Sequence, residues 1–170
     1  LGCPPPPYFS AIWATLIEPS LRSEIPKPFG CAVATIANGG NLPVLQIIAS
    51  TTPQRTPVGV SPENLQVVRE GMRLAVTSDK GTARALNIPG FPIASKTGTA
   101  EVGSKKQFMN SWVIGFWPYD KPRYAFVVVL ERAPAGTLSG AAPAMRGFFD
   151  WLAQRPEEAI PMVQDIEIAH

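Results

Sequence analysis

The 170-residue sequence predicts an α+β fold in which an antiparallel sheet is covered by helices. Three observations carry that prediction. Three strand-like runs follow one another between residues 91 and 132, the last two joined by a connector too short to bring the chain back parallel. Two stretches, one opening at Ser61 and one at Ala141, place apolar residues at helical spacing. The order strand, strand, strand, helix then sets a helix against a sheet face.

Taken in order, residues 1–30 combine a proline run with a short apolar patch and receive no assignment. Prolines gather at 4–7, at 26 and 28, and at 53, 57 and 62, and they predict extended or irregular backbone there. From Cys31, CAVATIANGG reads as a short apolar helix closed by Asn38, Gly39 and Gly40, residues that tolerate left-handed backbone at a helix end. PVLQIIAS, residues 43–50, reads as a short strand. The next helix has Ser61 as N-cap, Pro62 at its first position and Glu63 in its first turn. Leu65, Val68, Met72, Ala75 and Val76 form its expected core face. GTARAL at 81–86 adds a helical turn, and NIPGFP is a turn cluster.

Strands are expected over residues 91–99, 110–118 and 124–132, with YDKPR joining the last two. Residues 125–130, AFVVVL, do not alternate, so both faces of that strand are buried and it lies inside the sheet. It needs a neighbour on each edge, and the earlier sequence offers few convincing strands to supply the second, so part of the sheet is expected to be missing from this chain. AAPAMRGFFDWLAQ closes the pattern, with Ala144, Phe148, Trp151 and Leu152 as the expected sheet-facing stripe. The expected division is 1–30 unassigned, 31–155 one domain portion and 156–170 a tail.

Composition removes several function classes. A net charge of +2 with 16% charged residues and no basic run excludes an electrostatic footprint for nucleic acid. The single histidine, His170, is the last residue, which argues against a His-centred triad or a His metal site; no metal and no cofactor is expected. Cys3 and Cys31 have no metal-ligand spacing and read as free thiols. The apolar run at 11–17 is far short of the roughly 20 residues that cross a bilayer, so any membrane attachment is expected through a segment not present here.

One stretch carries chemistry. IASKTGTAE places Lys96, Thr97, Gly98 and Thr99 on the first of the three strands. Strand alternation sends Thr97 and Thr99 to one side and Lys96 and Gly98 to the other. Gly98 admits a ligand or another backbone closely. Two hydroxyls, an ammonium and edge N–H groups suit a carboxylate and a developing oxyanion. Trp112, Phe116 and Trp117 read as core and cleft wall, Lys105 and Lys106 as a solvated loop, and Glu101 as a strand-end surface charge. Arg55, Arg69, Arg73 and Arg132 show no shared spacing.

KTGTAE, together with GTARAL, PGFPIAS, AVATIANGG and NSWVIGFWPYDKPRYAFVVVLER in this order, resembles the C-terminal part of the transpeptidase domain of class B penicillin-binding proteins, most closely the elongation type. The resemblance covers residues 31–155. It implies the serine β-lactamase-like fold and a parent D,D-transpeptidase, anchored in the inner membrane and active outside it, that cross-links peptidoglycan through an active serine. Its partners would be the peptidoglycan stem peptide and β-lactams. Carried over to this sequence, Lys96 tunes the cleft and Thr99 supplies an oxyanion N–H, the two catalytic assignments. Thr97, Gly98 and Thr99 bind substrate, and Gly81 and Thr82 have a structural role.

The family's Ser-x-x-Lys and Ser-x-Asn motifs are absent. No serine from Ser10 to Ser139 has lysine three residues on or asparagine two residues on. Three readings stay open at this point: an enzyme completed by a second polypeptide that supplies the serine and the missing strands, a non-catalytic association domain that reuses the fold, and a fragment of a serine β-lactamase-like hydrolase.

Overall fold

Three long antiparallel strands, β4 (Ala94–Val102), β5 (Phe108–Trp117) and β6 (Tyr124–Pro134), form the centre of the computed structural model, which describes residues 10–13, 26–44, 54–136 and 140–154. Around them stand β1 (Ser10–Trp13), α1 (Pro26–Ala37), a hairpin-like pair of β2 (Asn41–Pro43) with β3 (Arg55–Pro57), α2 (Pro62–Thr77), a 3-10 turn at Arg84–Leu86 and α3 (Ala141–Ala153). The expectations for Cys3, for Pro4 to Pro7, for most of the strand at 43–50, for His170 and for the tail lie outside the described residues.

Each face of the sheet has its own core. On one side Ile93, Val113, Trp117, Phe126 and Val128 pack against Met145 and Phe149 of α3 and against Ala83 and Leu86. On the other, Ala94, Phe116 and Ala125 pack against Val33, Ala34 and Ala37 of α1 and Met72 of α2. The non-alternating run is explained by this double cover: residues 125–129 are all buried.

Several sequence expectations are corrected. The second neighbour of β6, expected outside this chain, is β1, which pairs with it in parallel from Ser10↔Tyr124 to Trp13↔Val127. It was illegible because four residues carry no periodicity. Pro26 and Pro28 lie in the first turn of α1 rather than in irregular chain, since first-turn N–H groups have no intrahelical acceptor to lose. On α2 the buried residues are Leu65, Met72 and Val76, while Val68 is 46% exposed. The face runs 65, 69, 72, 76, and Arg69 occupies the place expected for Val68 because its guanidinium finds acceptors against the sheet. On α3 the sheet-facing residues are Ala141, Ala142, Met145, Phe149 and Leu152. The expected stripe was rotated by one residue, so Phe148 and Trp151 instead stack on each other along the flank, with Trp151 42% exposed.

Candidate active site

β4 is the outer strand in the order β1-β6-β5-β4, and no described strand pairs with its free side. Alternate N–H and C=O groups along it point away from the sheet, an edge that an extended ligand can meet. Its start is fixed from outside by Arg73 of α2, whose Nη1 donates to the Ile93 carbonyl at 2.7 Å.

The two-residue period then distributes the side chains. Ile93 belongs to the α3-side core and Ala94 to the α1-side core. Thr97 and Thr99 therefore share the α3 side, and Lys96 and Gly98 share the α1 side. The register agrees, with Lys96 opposite Ile114, Thr97 opposite Val113, Gly98 opposite Trp112 and Thr99 opposite Ser111. The four residues thus meet only at the strand edge.

Lys96 is exposed, and its ammonium donates to the carbonyl of the adjacent Thr97. Beyond it, Trp112 and Phe29 of α1 pack with ring centroids 5.2 Å apart and wall that side. A Cβ on Gly98 would lie 3.6 Å from Trp112 Cβ, an ordinary contact. Sheet packing therefore does not demand glycine at 98. On the opposite side Thr97 is half-buried and its Oγ1 donates to Thr82 Oγ1 at 2.7 Å. Thr99 is exposed, and across from it Ser111 Oγ accepts from Ala141 N at 2.9 Å, capping α3 where Gly140 has no side chain to do so.

Sequence reasoning missed the contacts of three residues. Arg69 and Arg73 are four residues apart on one face of α2, a spacing that does give them a shared direction. Both approach the Tyr119 ring, at 5.7 and 5.9 Å. Thr82, given only a structural role, reaches Thr97 from 15 residues away, a contact no local pattern announces. Residues judged peripheral stand apart from the cluster. Lys106 pairs with Glu101 at 2.8 Å in an exposed hairpin end, and Phe116 and Trp117 are core. Burial pushes the Cys31 thiol up from its ordinary value, which disfavours the nucleophilic thiolate. Among the described residues no cluster of His, Cys, Asp or Glu is placed to hold a metal ion.

The family model of the penicillin-binding protein transpeptidase domain matches residues 31–150. The chain belongs to the class B penicillin-binding protein transpeptidase family. It is 35% identical over 125 residues to the peptidoglycan D,D-transpeptidase PbpA of Mycobacterium tuberculosis, covering 66% of this chain and 25% of that one. It is 30% identical over 160 residues to the peptidoglycan D,D-transpeptidase MrdA of Acinetobacter baumannii, covering 79% and 23%. The chain thus spans about a quarter of the length of these curated relatives. Among solved structures, the imipenem acyl-enzyme complex of M. tuberculosis penicillin-binding protein A superposes with a TM-score of 0.59 at 31% identity, over 76% of this chain and 31% of that one. Penicillin-binding protein 2B of Streptococcus pneumoniae gives 0.61 at 22% identity, over 77% and 25%, a likeness of fold alone. The α+β sheet with helices on both faces is accordingly part of the penicillin-binding transpeptidase fold.

Proposed function

We propose that residues 31–155 are the C-terminal portion of an elongation-type D,D-transpeptidase domain, working outside the cytoplasmic membrane, and that β4 is the wall of its active-site cleft. The observation that carries this reading is the placement of Lys96, Thr97, Gly98 and Thr99 on an edge strand with a bare glycine that the sheet does not require. The substrate is the peptidoglycan stem peptide ending in D-Ala-D-Ala, and β-lactams are its mimics.

In this role the Thr97 and Thr99 hydroxyls donate to the terminal carboxylate, an arrangement stronger than neutral hydrogen bonds because the acceptor is charged. The Thr99 backbone N–H meets the oxygen that gains charge as the carbonyl is attacked. Lys96 holds positive potential at the same edge. The attacking serine oxygen comes from sequence outside this chain, since no Ser-x-x-Lys occurs in it. That oxygen adds to the penultimate D-alanine carbonyl, and collapse of the tetrahedral adduct breaks the amide to the terminal D-alanine, which leaves with the serine's proton on its amine. An amine of a neighbouring strand then attacks the resulting ester, a new amide forms as the bond to serine breaks, and the amine's proton returns to the serine oxygen.

The test is the denatured intact mass of the purified chain before and after incubation with benzylpenicillin. We expect the mass of this chain to stay unchanged. A gain of one drug mass on it would reveal a nucleophile among its own residues and overturn the reading that the serine lies elsewhere.

A further inference from the structure

Thr82 Oγ1 lies 2.7 Å from the Oγ1 of Thr97, the hydroxyl proposed to bind a carboxylate. We propose that Thr82 is a positioning residue that turns the Thr97 hydroxyl proton toward a carboxylate ligand, an inference that rests on reading Thr97 as a carboxylate donor.

The loop that carries Thr82 is held on both sides. Gly81 N donates to Ser78 O and Ala83 N to Ala75 O, each at 2.9 Å, so both neighbours of Thr82 are tied to the end of α2. Ala83 is fully buried in the α3-side core. A Cβ on Gly81 would fall inside contact distance of the Ala75 carbonyl, so only glycine lets the loop lie this close to the helix. Thr82 itself is exposed, yet its backbone has little room to move, and its Oγ1 rests 2.7 Å from Thr97 Oγ1.

Two hydroxyls at that distance share one proton along the line between them. Each owns a single proton and two acceptor lone pairs, whereas a carboxylate only accepts. While Thr97 donates to Thr82, it has nothing to donate to a carboxylate. Once the ligand arrives, the shared proton must come from Thr82, and the order becomes Thr82 to Thr97 to carboxylate. A hydroxyl that is itself accepting a hydrogen bond is polarised and donates better. With the ligand bound the proton between the two hydroxyls is therefore supplied by Thr82, with no heavy atom required to move.

The proposal is tested on the whole chain with acetyl-D-alanyl-D-alanine and its C-terminal carboxamide as probes, titrated while the amide signals of residues 97–99 are followed by NMR. Wild type, Thr82→Val, which keeps the volume without the hydroxyl, and Thr82→Ser, which keeps the hydroxyl, are compared. We expect Thr82→Val to lower the preference for acid over amide by about threefold to tenfold, and Thr82→Ser to retain it. The free proteins give a second measurement, the three-bond couplings of the Thr97 methyl: one side-chain rotamer in wild type and Thr82→Ser, and averaged values in Thr82→Val. If Thr82→Val keeps both the acid preference and the single rotamer, the positioning role is overturned while the site reading stands. If wild type shows no preference for the acid, by binding both probes alike or neither, the carboxylate reading fails and the positioning role with it.

Discussion

Arg69→Met should destabilise the chain more than any change at the exposed residues of the candidate site. Arg69 leaves α2 on the face that packs against the sheet, donates through Nη1 to Ala37 O at 3.0 Å and through Nη2 to Tyr119 O at 2.8 Å, and lies over the Phe116 ring at 5.5 Å. One side chain thus joins the end of α1, α2 and the chain leaving β5. Two charge-assisted bonds contribute about 1.5 kcal/mol each at the low end, and a partly desolvated cation over an aromatic face about 1 kcal/mol more. Against this stands the buried Nε, which has no hydrogen-bond partner among the described residues and costs about 1–2 kcal/mol. The balance is a loss of roughly 2–3 kcal/mol for methionine, which fills similar volume without donors. At about 2–4 °C per kcal/mol for a chain of this size, the midpoint of thermal unfolding should fall by about 4–12 °C. Arg69→Lys should recover less than half of that, because one ammonium does not reproduce the guanidinium fork. Circular dichroism melts of the three proteins decide the matter: a methionine variant within about 0.5 kcal/mol of wild type would refute the pinning argument, since that is the scatter of inert surface changes.

Three further outcomes follow from the same structure. Ser95 is fully buried and its Oγ has no partner among the described residues, so Ser95→Ala should leave stability unchanged or raise it by about 1 kcal/mol in urea unfolding; a loss above about 1 kcal/mol would mean the hydroxyl is satisfied. Glu63 is held below the ordinary glutamate value, first by its own backbone N–H and then by the Ser61 hydroxyl. A depressed folded value gives stability that is present above the unfolded value of about 4.3 and lost as pH falls through the lower folded one, so Glu63→Gln should flatten the acid limb of a stability-versus-pH curve. At Gly115 a Cβ would meet the Ala94 carbonyl and lie 2.6 Å from Phe126 Cζ, so Gly115→Ala should cost about 1–3 kcal/mol and shift amide signals at residues 94–96. An unshifted strand with unchanged stability would contradict that close approach.

What was legible in the sequence were the long, strongly patterned elements and the Lys-Thr-Gly strand. The run at 125–129 announced its double burial because hydrophobicity without alternation has that one meaning in a strand. Helix faces were read less well. On α2 the apolar count favoured Val68, whereas Arg69 is drawn inward by two backbone carbonyls that a hydropathy pattern does not contain. On α3 the expected stripe named Phe148, whereas the fully buried residue is Phe149, whose ring comes to 4.9 Å from that of Trp117 against 6.5 Å for Phe148, a contact 32 residues away in sequence. β1 and Thr82 share one cause of illegibility: each owes its place to a partner far away in sequence, Tyr124 and its neighbours for the first and Thr97 for the second.

Under the proposed function, the edge strand lets a lysine and two threonines on opposite faces serve one ligand. Lys96 and Thr97 are each tethered in a way that a charged ligand can undo cheaply. Lys96 satisfies its ammonium on the carbonyl of its own neighbour, a local bond at an exposed position, and a carboxylate offers a full charge in place of that dipole. Thr97 rests on Thr82 and can exchange donor for acceptor without leaving it. The backbone itself is not free to adjust, because Arg73 holds the start of β4, and β5 pairs with it along its whole length from Ala94↔Phe116 to Val102↔Phe108. Under the proposed function, then, the frame is fixed by non-local contacts and only proton positions and one flexible ammonium respond to the ligand, which is the division that electrostatic preorganisation requires.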